Sequence, residues 1–233
     1  MNQAIEPKTI KMWPASERPR ERLMQLGAAA LSDAELVAVL LRSGIRGKDA
    51  ITLARDLVNQ CGGLRGLFAM SGHDLRQVKG FGAAKAATLL AVAELARRQL
   101  KENINGRNVI RDPESVMQYL YSSLRDKTRE VFKVLYLNKA NCIISDRDLF
   151  HGTVDEATIH PREIVKTALD CYATALVLVH NHPSGRIEPS PEDRQMTKKI
   201  QEACATVSIR VLDHIIIGDN RFFSFCENGL LSA

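Results

Sequence analysis

The sequence predicts two domains: an all-α amino-terminal domain over residues 1–105 and an α/β domain over residues 106–233. Three observations predict this division. Apolar residues recur at helical spacing through the first hundred residues. Hydrophobic periodicity then disappears between Lys101 and Pro113, where Asn103, Asn105, Gly106 and Asn108 cluster. Beyond that stretch, strand-like runs interleave with helical ones. A chain of 233 residues is long enough for two small domains, and 45% hydrophobic with 25% charged residues excludes a chain that is disordered or fibrous throughout.

In the first domain, Ser32 is placed to cap a helix through Leu36, Val39, Leu40 and Leu41, with Glu35 at the capping-box position and a stop near Gly44. A second helix is predicted from Asp49 to Asn59, ending at Gly62-Gly63, and a third around Leu64 to Met70. Asp74 to Val78, then Lys79-Gly80-Phe81-Gly82, then the alanine-rich Ala83 to Leu100 read as helix, tight turn, helix. In the second domain a short helix from Pro113 to Leu124 precedes a hairpin of Val131–Leu137 and Cys142–Leu149. A helix opens at His160-Pro161 and reaches Tyr172. Ala173 to Val179 is a continuous apolar run that fits a buried central strand. A polar loop follows, then a helix from Pro191 to Thr206 and strands at Arg210–Ile217 and Phe222–Phe225.

Charge divides with the domains. Residues 1–105 carry 16 basic against 10 acidic side chains, a net of +6, whereas residues 106–233 carry a net of −1. That asymmetry points to an anionic partner, such as nucleic acid, for the first half only; ordinary solvated basic faces explain it equally well. The five cysteines are scattered and never form a CxxC pair, which excludes a thiolate zinc site or a disulfide framework and leaves them as small buried hydrophobes. Neither an apolar leader nor a membrane-length apolar run appears, so a cytoplasmic protein without membrane contact is expected.

The chemistry concentrates between Val179 and Asp193. Two histidines, His180 and His182, leave a buried strand at i and i+2 and so project on one face. Pro183-Ser184-Gly185 turns the chain, and seven residues separate His182 from Ser190, which brings Asp193 back toward the histidines. Two imidazoles and one carboxylate leave a fourth position open, the ligand count of a catalytic rather than a structural zinc site. Ser190-Pro191-Glu192-Asp193 is also a good helix start, but capping does not account for two histidines directly after a buried strand. His214, His151 and His160 have no such spacing and read as core histidines or as supports behind the ligands.

The pattern His180-x-His182-x7-Ser190-xx-Asp193 is the JAMM signature, and His180-Asn181-His182-Pro183-Ser184-Gly185 resembles the bacterial RadC family. The resemblance extends through Ser16 to Leu23 and Leu31 to Ala38, so it covers nearly the whole chain. It implies an MPN-like α/β fold, cytidine-deaminase-like in layout, around one zinc ion, as in the JAMM deubiquitinating enzymes. A metallopeptidase or isopeptidase acting on an unidentified protein or peptide is the implied activity; the DNA-repair label of such proteins is a name. In that family a glutamate upstream of the histidines is general base and then general acid. Glu130, at the head of the first strand, resembles that position; Glu163, in a first helical turn, is the alternative. The resemblance also gives Ser190 a part in stabilising an oxyanion.

Leu75-x-x-Val78-Lys79-Gly80-Phe81-Gly82-Ala83-Ala84-Lys85 resembles a helix-hairpin-helix. Gly80 and Gly82 permit a tight turn with amide groups exposed at a helix start, and Lys79 and Lys85 add charge, a combination suited to DNA backbone without sequence reading. A plain αα-hairpin whose glycines serve packing is the competing reading. Two further functions stay open: a DNA-binding accessory protein in repair or recombination with a non-catalytic metal site, and a zinc-dependent nuclease.

Overall fold

The computed structural model describes residues 10–151 and 159–231, and the chain falls into two compact units, Met1–Ala96 and Arg97–Ala233. The first unit is helical: α1 (Pro19–Leu26), α2 (Asp33–Leu41), α3 (Ala50–Gln60), α4 (Leu64–Ala69), α5 (Gly72–Gln77) and the start of α6 (Ala83–Ile104). Local chemistry sets the ends. Ser32 and Glu35 form a reciprocal capping box on α2, and Asp49 caps α3 by accepting the Thr52 N–H at 2.8 Å. Helix α2 stops at Arg42, which turns to φ 65°, short of Gly44. Val37, Leu41, Leu53, Leu57, Leu75 and Leu89 meet in one core, the burial that stabilises helices too short to persist alone.

Helix α6 continues four residues past Leu100, through the polar Lys101 to Ile104, where the sequence lost its periodicity. The reason is tertiary. Leu100 and Ile104 pack into the core of the second unit, and the Lys101 ammonium lies 2.6 Å from Asp146.

The second unit is an α/β domain with a mixed five-stranded sheet. Its elements are α7 (Pro113–Leu120), β1 (Val131–Leu137), β2 (Ile143–His151), α8 (Pro161–Asp170), β3 (Ala175–Asn181), α9 (Pro191–Ala205), β4 (Arg210–Ile217) and β5 (Phe222–Ser224). Strand order is β2-β1-β3-β4-β5; β3 and β4 run parallel and the other neighbours antiparallel. Alternation along β1 sends Phe132, Val134 and Tyr136 into a core with Ile164 of α8 and Ile200 of α9, and Val131, Leu135 and Leu137 into a core with Val116 and Leu120 of α7. Central strands β1 and β3 are buried along their whole length, as expected of strands covered on both faces.

Lys133 breaks the apolar run of β1 and is 3% exposed. Its ammonium meets Asp146 at 3.2 Å, Asp148, and the Tyr119 hydroxyl at 3.4 Å, so the buried charge is paired. Burial pushes the Tyr119 phenol well above its ordinary range, with the Asp146 hydrogen bond adding to it. Of the five cysteines only Cys204 is buried; Cys61, Cys142 and Cys171 are half-buried and Cys226 is exposed, all as free thiols. No helix among the described residues is long and apolar enough to cross a membrane.

Candidate metal centre

Three elements of the second unit deliver the site. Strand β3 carries His180 in register opposite Phe132 of β1. One residue past the strand, the His182 N–H donates to Ile217 O at 3.0 Å and extends the pairing with β4, so His182 keeps to the face of His180. The chain then turns, with the Gly185 N–H donating to His182 O at 2.9 Å, and re-enters as α9. Ser190 caps that helix in a capping box with Asp193.

The structure brings His180, His182 and Asp193 together, with one ligand atom from each within 4.8 Å of the others. His180 Nε2 lies 3.0 Å from His182 Nε2 and 3.2 Å from Asp193 Oδ1; His182 Nε2 lies 3.5 Å from Asp193 Oδ2. His180 and Asp193 are each 1% exposed.

Hydrogen-bond partners around the cluster assign the ring protons. Thr197 Oγ1 is 2.6 Å from Asp193 O, a carbonyl that can only accept, so the hydroxyl donates there. Thr197 Oγ1 therefore accepts from His214 Nδ1, also at 2.6 Å. Burial and the neighbouring His180 hold the His214 pKa well below its ordinary value, so this ring is neutral and its Nε2 accepts from His180 Nδ1 at 2.8 Å. His182 Nδ1 donates to Arg186 O at 3.1 Å. Both Nε2 atoms are thus left as bare lone pairs facing each other.

Asp193 adds a third. Its Oδ2 accepts the Ser190 N–H at 2.8 Å and the Ser190 hydroxyl at 2.7 Å, which leaves Oδ1 turned toward His180. Capping accounts for Oδ2 and not for the near-complete burial of Oδ1 against two imidazoles. Burial alone pushes the Asp193 carboxyl up, but the adjacent His180 and His182 rings and the hydrogen bonds from Ser190 bring it well below the usual carboxylate range. The Asp193 hydrogen bond raises the His182 pKa against the opposing effect of burial, and the Glu130 carboxylate adds to the rise. Three electron-pair donors converge here, with His180 Nε2 3.0 Å from His182 Nε2 and 3.2 Å from Asp193 Oδ1, and a cation between them, either a proton or a metal ion, relieves their repulsion.

Glu130 is half-buried at the residue before β1, and its charge is felt at His182. Glu163 is not brought to the cluster; its side chain is exposed in the first turn of α8 and pairs with Arg162 at 3.4 Å. His160 is exposed as the cap of α8, and the side chain of His151 lies outside the described residues. Thr197 escaped the sequence reading, although its position one helical turn after Asp193 was a signal that the two share a face. No spacing could have tied His214 to His180, because their pairing depends on β4 lying beside β3.

In the first unit, Lys79 is exposed and Lys85 half-buried, with Lys85 Nζ 3.4 Å from Ser43 Oγ. Gly80 takes φ +91°, and a Cβ there would sit 2.5 Å from Ile45 Cγ2, whereas a Cβ on Gly82 would meet nothing within 4 Å.

Comparisons with known proteins cover both units. Residues 10–87 match the family model described as UPF0758 N-terminal. A UPF0758 protein of Thioalkalivibrio sulfidiphilus (strain HL-EbGR7) is 48% identical over 222 residues, covering 95% of this chain and 99% of the relative. Those of Cellvibrio japonicus (strain Ueda107) and Pseudomonas fluorescens (strain SBW25) are each 47% identical over 223 residues, covering 96% of this chain and all of the relative. Because residues 110–230, over half of the chain, also match the model described as RadC-like JAB domain, the chain belongs to the RadC-like JAB family, with a UPF0758 amino-terminal region ahead of the JAB domain.

Proposed function

We propose that the JAB unit is a zinc-dependent hydrolase of the JAMM type, a metallopeptidase or isopeptidase acting on an amide. The observation that carries this reading is the convergence of three bare lone pairs, on His180 Nε2, His182 Nε2 and Asp193 Oδ1. A tetrahedral ion with bonds of about 2.0 Å has ligand-to-ligand edges of about 3.3 Å, and His180 Nε2 lies 3.0 Å from His182 Nε2 and 3.2 Å from Asp193 Oδ1. The donor set, nitrogen and oxygen with three protein ligands, fits a zinc site with one position open. When bound, zinc supplies Lewis acidity that polarises a carbonyl and makes water acidic enough to attack near neutral pH.

The chain's own residues do the rest. Glu130 takes the proton of the attacking water and returns it to the leaving amine, a role suited to a half-buried carboxylate whose charge reaches His182. Ser190 has its hydroxyl hydrogen committed to Asp193 Oδ2, so its first job is to aim the carboxylate. Donation to an oxyanion requires that hydroxyl to rotate off Asp193. A peptide-library screen with the zinc-loaded protein tests the activity: cleavage that a chelator stops and zinc restores is expected, and cleavage indifferent to the chelator would end the reading.

A second reading concerns the first unit. Gly80 is explained by its positive φ and by Ile45, but neither conformation nor packing calls for glycine at Gly82. Close approach of an external backbone to the first amides of α6 does call for it, as in a helix-hairpin-helix on a DNA phosphate. The full chain is expected to bind non-specific duplex DNA at low salt, with affinity falling steeply as salt rises. Replacing Lys79 and Lys85 together by glutamate should weaken that binding about tenfold or more, as read by fluorescence polarisation. Equal binding by both proteins would reduce the hairpin to architecture.

A further inference from the structure

The backbone pairing of β1 with β3 stops at Phe132 and His180. One more step of the same register would set Val131 against Asn181, and a second would set Glu130 against His182. That continuation is made by a side chain instead. Asn181 is fully buried, and alternation along β3 turns it away from the histidines, toward the α7 face of the sheet. Its Oδ1 accepts the Val131 N–H at 2.8 Å, and its Nδ2 donates to Arg129 O at 3.2 Å and to Lys127 O at 3.4 Å. One N–H and two carbonyls are partners that fix the amide in a single orientation. All three bonds go to residues 127–131, the segment that carries Glu130.

We propose that Asn181 is a positioning residue, whose side-chain amide takes over from the backbone ladder and holds Glu130 beside His182 and the metal ligands. The inference rests on the reading of Glu130 as the group that handles the proton, and it adds the element that places it. Burying an amide is unfavourable unless its hydrogen-bonding groups are paired, and here every pairing serves the placement of one loop. His180 and His182 bracket Asn181 in sequence, so one strand end supplies two ligands on one face and the splint for the base on the other.

The experiment uses the full-length protein loaded with cobalt(II), whose visible absorption changes with pH as the ion's surroundings gain or lose a proton. Glu130→Gln is expected to move the midpoint of that change by about one pH unit, because it removes a charge adjacent to the ion's ligands. Asn181→Ala is expected to move the midpoint in the same direction while cobalt stays at one equivalent. The double variant should move it no further than Glu130→Gln alone, since both act through one carboxylate. A shift with Glu130→Gln and none with Asn181→Ala overturns the positioning role and leaves Glu130 in place. No shift with Glu130→Gln removes the proton-handling reading and the positioning role with it. Should Asn181→Ala fail to fold, hydrogen exchange in the unaltered protein decides: the Val131 amide, outside the β1–β3 ladder, should be strongly protected. Exchange there as fast as in the exposed 127–129 segment overturns the proposal.

Discussion

One equivalent of zinc per chain is expected in the unaltered protein and none after His180→Ala, His182→Ala or Asp193→Ala, as read by metal analysis following dialysis. Each substitution removes one of three converging donors, and two remaining donors do not hold the ion. A graded companion is Thr197→Val, which cuts the relay from His214 and so frees the His180 ring to adopt the wrong tautomer; it should keep the ion with affinity weakened about 10–100-fold. The sign of the pH dependence follows from His182. Its pKa is raised in the ion-free fold, chiefly by Asp193, so the stabilisation from that proton is fully present below the ordinary histidine value and is lost as pH rises through the raised one. Zinc replaces the same proton. The rise in Tm on adding zinc should therefore grow as pH rises above the ordinary histidine value. Full zinc content in all three ligand variants would sink the site.

Glu130→Gln is expected to lower chelator-sensitive cleavage about 10²–10⁴-fold with zinc content unchanged. The amide keeps the shape of the carboxylate and cannot take a proton from water. Glu163→Gln should leave the rate unaltered, because Glu163 faces solvent beside Arg162. Assays of both variants on whichever peptide the screen selects separate the two glutamates. Loss of rate with Glu163→Gln alone would reverse the assignment.

Much of this was legible in residue order because its causes are local. The capping boxes at Ser32 and Ser190, the alternation of β1 and the i, i+2 pair at the end of β3 depend on neighbours within four residues. Distant causes leave no such trace in residue order. Helix α6 runs on through Lys101–Ile104 because Asp146 and the second core receive it, and no local propensity records that. Cysteines expected inside proved half-buried or exposed in four of five cases, since burial is set by which face each element turns inward.

By itself the sequence determined which histidines, serine and aspartate the second unit carries and at what spacing. The tertiary structure decided the rest: which glutamate's charge reaches His182, which partner each ring nitrogen meets, and what holds the Asp193 carboxylate. Spacing along a chain fixes only what one helix or strand presents. Proton positions and electrostatic neighbours arise where strands β1, β3 and β4 and helix α9 meet, and that meeting is a product of packing.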